Sequence, residues 1–552
     1  MFATQAPLST ANGRITDVTS RRHATVTASI LLAFSVAVGA GACTTSVDGE
    51  SGPQLPFEEQ NEPAGPVPAG LEQFYSQPLT WEGCAEYAKT DYDEQALGAD
   101  GLQCTHLTVP LDYAKPDGDT IELGVLRKPA RDRDQRIGAL VVNPGGPGAA
   151  GLSTAAALAD VNDTLADRFD FVGFDPRGVG SSEPNVECLT DEEMDQERAT
   201  DDELDVSPEG VAKQDAESKE FAQKCAANTE FGTAMLANIG TRDVVKDIDV
   251  LRSALGDEKL TYLGYSYGTR IGSTYAETFP DNVRALVLDG ALDPSQTPVD
   301  EVVAQGAGFQ KAFDDFVAWC TGEDDCALGK DKGTALRQFH DLVRPLGERP
   351  VEVGDGRKLS YEDATTGVVQ ALYSEQLWEH LNSGLNELKQ NEGATLMSLA
   401  DMYLERDPDG TYSTTQDVFT AVRCVDDPRV TDPNVALDLN REYKEAAPFL
   451  DDGKPAAPVL DSCAYWPVPN TSEPHVPDVP GLPKVLVIST TGDPATPYDA
   501  GVALAKGLGG GLLTFEATQH TVFLQGNSCV DDAGAKYLTD LELPAEGTRC
   551  KP

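Results

Sequence analysis

Apolar and polar residues alternate over 104–113 and again over 120–127, with Lys115-Pro-Asp-Gly118 between them. A period of two around such a turn predicts a β-hairpin. Continuous apolar runs at 137–142, 169–174 and 283–288 predict buried strands. Over 241–255 the period changes: Val244, Val245, Ile248, Leu251 and Leu255 fall at helical spacing behind Thr241, a suitable N-cap. Residues 259–277 read as a short apolar strand, a turn with glycines on both sides of Ser266, and a helix. From Asp293-Pro294 to about residue 480 helical patterns dominate, at 301–319, 334–346, 361–403 and 416–423, ending in a Pro-rich stretch at 464–483. A strand (484–489), a helix (498–508) and a strand (512–516) follow. The economical reading is an α/β fold, a mostly parallel sheet with helical crossovers split by a large helical insertion.

Two segments stand outside this pattern. Residues 44 to about 68 are rich in Gly, Pro and Glu with almost no apolar periodicity, which predicts a flexible tether before structure begins near Leu71. Residues 183 to about 240 carry an acidic stretch flanked by Cys188 and Cys225, expected as a solvated excursion pinned at its base. Before the tether, Arg21-Arg22-His23 precedes an apolar run from Ala24 to Ala42 that ends in Ala40-Gly41-Ala42-Cys43. A charged segment, an apolar segment and small residues before a cleavage point describe an export signal. The cysteine behind them resembles a lipobox and makes Cys43 the candidate for lipidation, although Ala40 stands where leucine is usual. A plain signal peptide cut nearby and a membrane anchor stay open as alternatives. The expected location is the cell envelope, on the outer face of the cytoplasmic membrane, or the medium.

Composition narrows the partners. The 552 residues have a formal net charge of −49, which repels nucleic acid and anionic membranes; contact with a membrane is expected only through a lipid anchor. The eleven cysteines leave ten once Cys43 is set aside, an even number in a chain addressed to an oxidising compartment. Pairing sequential neighbours gives Cys84–Cys104, Cys188–Cys225, Cys320–Cys326, Cys424–Cys463 and Cys529–Cys550. Sequence does not fix connectivity, so this set is an expectation. No C-x-x-C pair or Cys/His cluster has zinc spacing, so no metal is expected. The glycine loop at 143–148 has neither a Walker lysine nor G-x-G-x-x-G, so no cofactor is implied.

The chemistry centres on Gly264-Tyr-Ser-Tyr-Gly268, which fits G-x-S-x-G between a strand and a helix. A serine on so tight a turn needs small residues two positions away on either side, and the turn lifts its Oγ above the strand ends. A serine nucleophile also needs a base and a group to orient that base. Of the six histidines, only His520 follows the last predicted strand, and Asp493 follows the strand before it. Alone, Asp493 reads equally well as a turn aspartate and His520 as a loop histidine. The order Ser266, Asp493, His520 at successive strand ends is the one this chemistry requires. The oxyanion donors are then expected to be the N–H of Tyr267 and one from Asn143-Pro-Gly-Gly-Pro-Gly148, Gly146 in particular.

Those motifs, with Phe174-Asp-Pro-Arg-Gly-Val-Gly-Ser181, Leu286-Val-Leu-Asp-Gly290, Cys463-Ala-Tyr-Trp-Pro467 and Gly492-Asp-Pro-Ala-Thr-Pro497, resemble the secreted tripeptidyl aminopeptidases. These are α/β-hydrolases of actinobacteria related to proline iminopeptidases. The resemblance spans about 81–550; Asn143-Pro144 replaces the His-Gly of proline iminopeptidases and fits the tripeptidyl branch better. It implies a helical cap over the site and removal of short peptides from substrates with a free amino terminus. With the signal and tether read above, the expected layout is signal peptide (1–42), tether (43–70), hydrolase core (71–292), cap (293–482) and the rest of the core (483–552). A buried ammonium would need carboxylates from the cap, and no motif singles one out. A carboxylesterase using the same three residues is the first alternative, and a catalytically silent binding protein the second.

Overall fold

The computed structural model describes residues 62–552; the predicted signal peptide, Cys43 and the tether up to residue 61 lie outside them. Nine strands form one sheet: β1 (Gln103–Pro110), β2 (Thr120–Lys128), β3 (Gly138–Asn143), β4 (Phe169–Phe174), β5 (Leu260–Tyr265), β6 (Val283–Asp289), β7 (Leu486–Thr490), β8 (Gly511–Phe515) and β9 (Arg549–Cys550). Their spatial order is β1-β2-β4-β3-β5-β6-β7-β8-β9. β2 is antiparallel to β1 and β4, and all later pairings are parallel. The longer helices before β6 are α1 (Gly151–Leu158), α2 (Asp191–Arg198), α3 (Pro208–Asn228), α4 (Thr241–Ala254) and α5 (Gly268–Thr278). Between β6 and β7 lie α6 (Pro298–Cys320), α7 (Lys332–Val343), α8 (Tyr361–Leu372), α9 (Trp378–Leu388), α10 (Ala394–Leu404), α11 (Thr415–Asp426) and α12 (Pro433–Ala446); α13 (Tyr498–Gly507) and α14 (Ser528–Asp540) follow.

The inner strands read as unbroken apolar runs because both faces are covered: β3, β4 and β5 are buried at every position. Val141, Val172, Tyr262 and Leu288 join one core with α4 and α5. Their neighbours Leu140, Phe171, Leu263 and Val287 join the opposite core with α1 and α14. The helices between β6 and β7 enclose a third core rich in aromatics, including Phe309, Phe313, Phe339, Trp378 and Phe449. Phe313 stacks on Phe449 at 4.9 Å. α11 is different: its Val418, Ala421, Val422 and Val425 pack into the sheet core with Tyr262 and Tyr267.

Several expectations change. The helical pattern over 361–403 resolves into α8, α9 and α10, broken where Ser374 caps a short 3-10 turn and where Asn391 adopts φ +61° ahead of Gly393. The 183–240 excursion is helical; its acidic stretch stays at the surface and its base is bridged, as expected, and ion pairs also dock it, Arg198 to Asp363 and Asp401 and Asp195 to Arg406. α12, α14 and β9 were absent from the pattern reading. Ala64, placed in the tether, is held at α4, its N–H donating to Ser253 Oγ and its carbonyl accepting from Arg252 Nη1.

The expected cysteine pairs are the ones formed: Cys84–Cys104, Cys188–Cys225, Cys320–Cys326, Cys424–Cys463 and Cys529–Cys550. Bridges of this number belong to an oxidising compartment, hence to an exported protein. Among the described residues no helix is long and apolar enough to cross a membrane.

The stretch after β4 holds this frame together. Asp175 accepts from Gly151 N, Leu152 N and Ser181 N, tying the start of α1 to the turn. Arg177 is buried, with Nε and Nη2 each 2.7 Å from Asp247 on α4 and Nη1 donating to the carbonyls of Leu111 and Asn238. Removing one partner of a buried pair leaves the other charge uncompensated. Asp247→Ala should therefore cost about 3–5 kcal/mol in urea-induced unfolding.

Candidate active site

β5 ends at Tyr265 and α5 begins at Gly268, so Ser266 and Tyr267 make the turn. Ser266 has φ +53°, a left-handed backbone uncommon for a residue with a side chain. A Cβ on Gly264 would lie 2.4 Å from Gly268 O, and one on Gly268 would lie 2.9 Å from Asn143 O, so both positions must stay bare. Ser266 N donates to Asp289 O at 2.9 Å, and Thr269 Oγ1 donates to Ser266 O at 2.7 Å. Among the described residues Ser266 Oγ has no hydrogen-bond partner, and the residue is only 1% exposed.

The loop after β3 lies against this turn. Asn143 Oδ1 accepts from Gly145 N at 3.0 Å. A Cβ on Gly145 (φ +101°) would lie 2.6 Å from Tyr265 O, 2.9 Å from Tyr267 N and 3.0 Å from Ser266 Cβ. Gly145 therefore makes the closest approach, and Gly146, the expected donor, is the next residue of the same loop, at φ +102°. Tyr267 precedes the first turn of α5, where backbone N–H groups lack helical acceptors.

Asp493 and His520 come together from loops after β7 and β8. His520 Nδ1 lies 2.9 and 3.0 Å from the two oxygens of Asp493. Asp493 is fixed in turn: Oδ1 accepts from the backbone N–H groups of Ala495 and Thr496, and Oδ2 from Thr496 Oγ1. His520 N donates to Tyr373 O, and the two rings meet edge to face at 5.6 Å. Both members of the pair are buried, at 3% and 6% exposure.

Asp289 and Gly290, at the end of β6, join the serine to this pair. While Asp289 O holds Ser266 N, its Oδ2 accepts from Val522 N and Phe523 N, both at 2.7 Å, just past His520. A Cβ on Gly290 (φ +68°) would lie 3.0 Å from His520 Cε1. Serine and imidazole thus flank one peptide, with the imidazole where a side chain at 290 would be. Burial pushes the Asp289 carboxyl up to about 7, against the two amide hydrogen bonds and the His520 ring, which pull it down, while Asp493 raises it. Neither Asp289 nor Thr496 was singled out from sequence. Their signals were the Leu286–Gly290 and Gly492–Pro497 motifs, read only as marks of resemblance.

The other described histidines lie elsewhere: His106 stacks on Tyr87, His340 bonds Pro448 O, His380 is exposed, and His475 pairs with Glu277. Among the described residues no three His, Cys, Asp or Glu side chains are grouped to hold a metal.

Fold and site together define a serine hydrolase, an enzyme built on a mostly parallel sheet, here with a serine at a strand-to-helix turn. The chain belongs to the α/β-hydrolase fold family, whose profile matches residues 138–527. It is 47% identical over 483 residues to serine protease Hip1 of Mycobacterium tuberculosis, covering 86% of this chain and 91% of that protein. It is 44% identical over 478 residues to carboxylesterase B of the same organism, covering 86% and 90%. To the tripeptidyl aminopeptidase of Streptomyces lividans it is 31% identical over 487 residues, covering 86% and 87%.

Asp289 carries a pH signature. Its folded value, about 7, lies above its ordinary 3.8, so the folded chain holds the proton more tightly. The group's contribution to stability is complete below the lower value and is lost as pH rises through the higher one. Asp289→Asn keeps an oxygen for the two amides and removes the titration. Urea melts between about pH 4 and pH 8 should show the variant losing less stability with rising pH than the parent.

Proposed function

We propose that the chain is an exported serine exopeptidase of the tripeptidyl aminopeptidase type, acting through Ser266, His520 and Asp493. The observation that carries the reading is the convergence of Ser266 and His520 on the Asp289–Gly290 peptide, with Asp493 on the far nitrogen of the imidazole. Ser266 Oγ attacks the scissile carbonyl as His520 Nε2 takes its proton, and Asp493 holds the tautomer and stabilises the imidazolium. The negative oxygen of the tetrahedral intermediate is received by the N–H groups of Tyr267 and Gly146. The intermediate collapses, His520 protonates the departing amine, and water releases the acyl group by the reverse path.

Residues 293–482 serve as the cap apart from α11, and 71–292 with 483–552 as the hydrolase core. The separate aromatic core of the insertion and the burial of Ser266 support a cap that must shift to admit substrate. Substrates are peptides, the reading favoured by the likeness to serine protease Hip1, and they carry a free amino terminus, the reading favoured by the likeness to the tripeptidyl aminopeptidase. The likeness to carboxylesterase B supports the alternative, ester hydrolysis by the same residues. Cys43 carries the lipid that tethers the enzyme to the outer face of the cytoplasmic membrane.

A free-amine tripeptide anilide, its N-acetylated twin and a short acyl ester, assayed side by side, test this. The free amine alone should be cleaved well, and Ser266→Ala should lose at least about 10⁴-fold in kcat. Indifference to acetylation with the ester preferred would move the assignment to esterase.

A further inference from the structure

The helix α11 lies between β6 and β7 in sequence but packs with the sheet, and its two ends reach the two loops that flank Ser266. At its start, a Cβ on Gly148 would lie 2.9 Å from Thr415 O and 3.0 Å from Val418 Cβ, and Thr415 Oγ1 is 3.3 Å from Gly148 O. That end bears on the glycine loop two residues after Gly146. At the other end Asp426, 1% exposed, accepts from Tyr267 Oη at 2.6 Å. Its carboxylate also accepts from Thr241 N, at 3.0 and 3.1 Å, at the start of α4, where the helix dipole favours an anion. A Cβ on Gly240 would lie 2.3 Å from Asp426 Oδ1, so that glycine leaves room for the carboxylate.

Further contacts hold the same clamp. Thr241 Oγ1 lies 3.2 Å from Tyr267 Oη. Arg270, one turn along α5, places its guanidinium 5.5 Å from the Tyr267 ring and pairs with Asp427 at 2.7 Å. Arg423 of α11 pairs with Asp427 and Glu301. Cys424–Cys463 anchors the helix to the segment before β7. Tyr267 is wholly buried, so turning the Ser266–Tyr267 peptide would pull its phenol from the carboxylate.

We propose that Asp426 is a positioning residue for the reaction: through Tyr267 Oη it sets the direction of the Tyr267 N–H, and α11 braces that donor against the glycine loop carrying the other. α11 thereby acts as a fixed part of the core, unlike the helices that cover the site. The inference rests on the serine-hydrolase reading, and the experiment keeps the two apart.

Tyr267→Phe removes one oxygen and leaves the backbone donor; Asp426→Ala removes the clamp, and Asp426→Asn restores an acceptor for the phenol. Each is compared with the parent for kcat, KM and inhibition by a peptidyl trifluoromethyl ketone, which forms a tetrahedral adduct with an active serine. Tyr267→Phe should lower kcat about tenfold or more with KM within about twofold, and weaken the ketone by the same factor as kcat/KM. Asp426→Ala should match or exceed that loss, and Asp426→Asn should recover most of it. Should Asp426→Ala fail to fold, Tyr267→Phe decides alone. If the ketone binds the parent and Tyr267→Phe equally, this inference falls while the serine-hydrolase reading stands. Falling thermal stability with unchanged kcat also overturns it. If the ketone forms no adduct with the parent, the functional reading falls and takes this one with it.

Discussion

The left-handed backbone of Ser266 is the constraint around which the molecule is arranged. A residue with a side chain holds φ near +53° at a cost of about 1–3 kcal/mol, and does so only where its surroundings leave no alternative. Those surroundings come from segments far apart in sequence. The end of β6 takes the serine's N–H, Thr269 takes its carbonyl, and two glycines clear the space on either side. Gly145 presses from the neighbouring loop, and the Tyr267 phenol is pinned on a buried carboxylate. A strained turn held from so many directions presents its hydroxyl in one place, and the Asp493–His520 pair is held against the same β6 terminus.

Much of this was legible in the sequence, for identifiable reasons. Parallel strands covered on both faces leave unbroken apolar runs, so most of the sheet could be read by eye. The elbow was legible because sterics allow so few residues beside the serine. The meeting of Asp493 and His520 was expected from chain order alone. The roles of Asp289, Thr496 and Asp426 were not, because each acts through backbone amides or a phenol contributed by residues far away in sequence. Asp426 meets Tyr267 across 159 positions, a relation no local pattern encodes. The helices of the 183–240 segment and its ion pair between Asp195 and Arg406 were hidden for a related reason, the partner lying 211 positions away in sequence.

The position of α11 refines the division between core and cover. Sequence places it inside the insertion, yet its apolar side chains complete the core beneath the sheet's helices. α6, α8 and α9 share a separate aromatic core, and they also meet the loops after β7 and β8, where Gln305 of α6 donates to Ala495 O and Tyr373, just past α8, accepts from His520 N. α11 cannot leave without opening the core that supports the elbow. The boundary between the two cores therefore runs through the insertion and not at its ends.

The disulfides have a consequence for how such a chain is made. The ten described cysteines pair as sequential neighbours, the first with the second, the third with the fourth and so on, with separations of only 6 to 39 residues. For a polypeptide entering an oxidising space amino end first, the correct partner of every waiting thiol is the next thiol to arrive. Oxidation in order of appearance yields the native set without reshuffling. Each crosslink can close before distant strands have met, so the slow assembly of the parallel sheet takes place in a chain already divided into small closed loops.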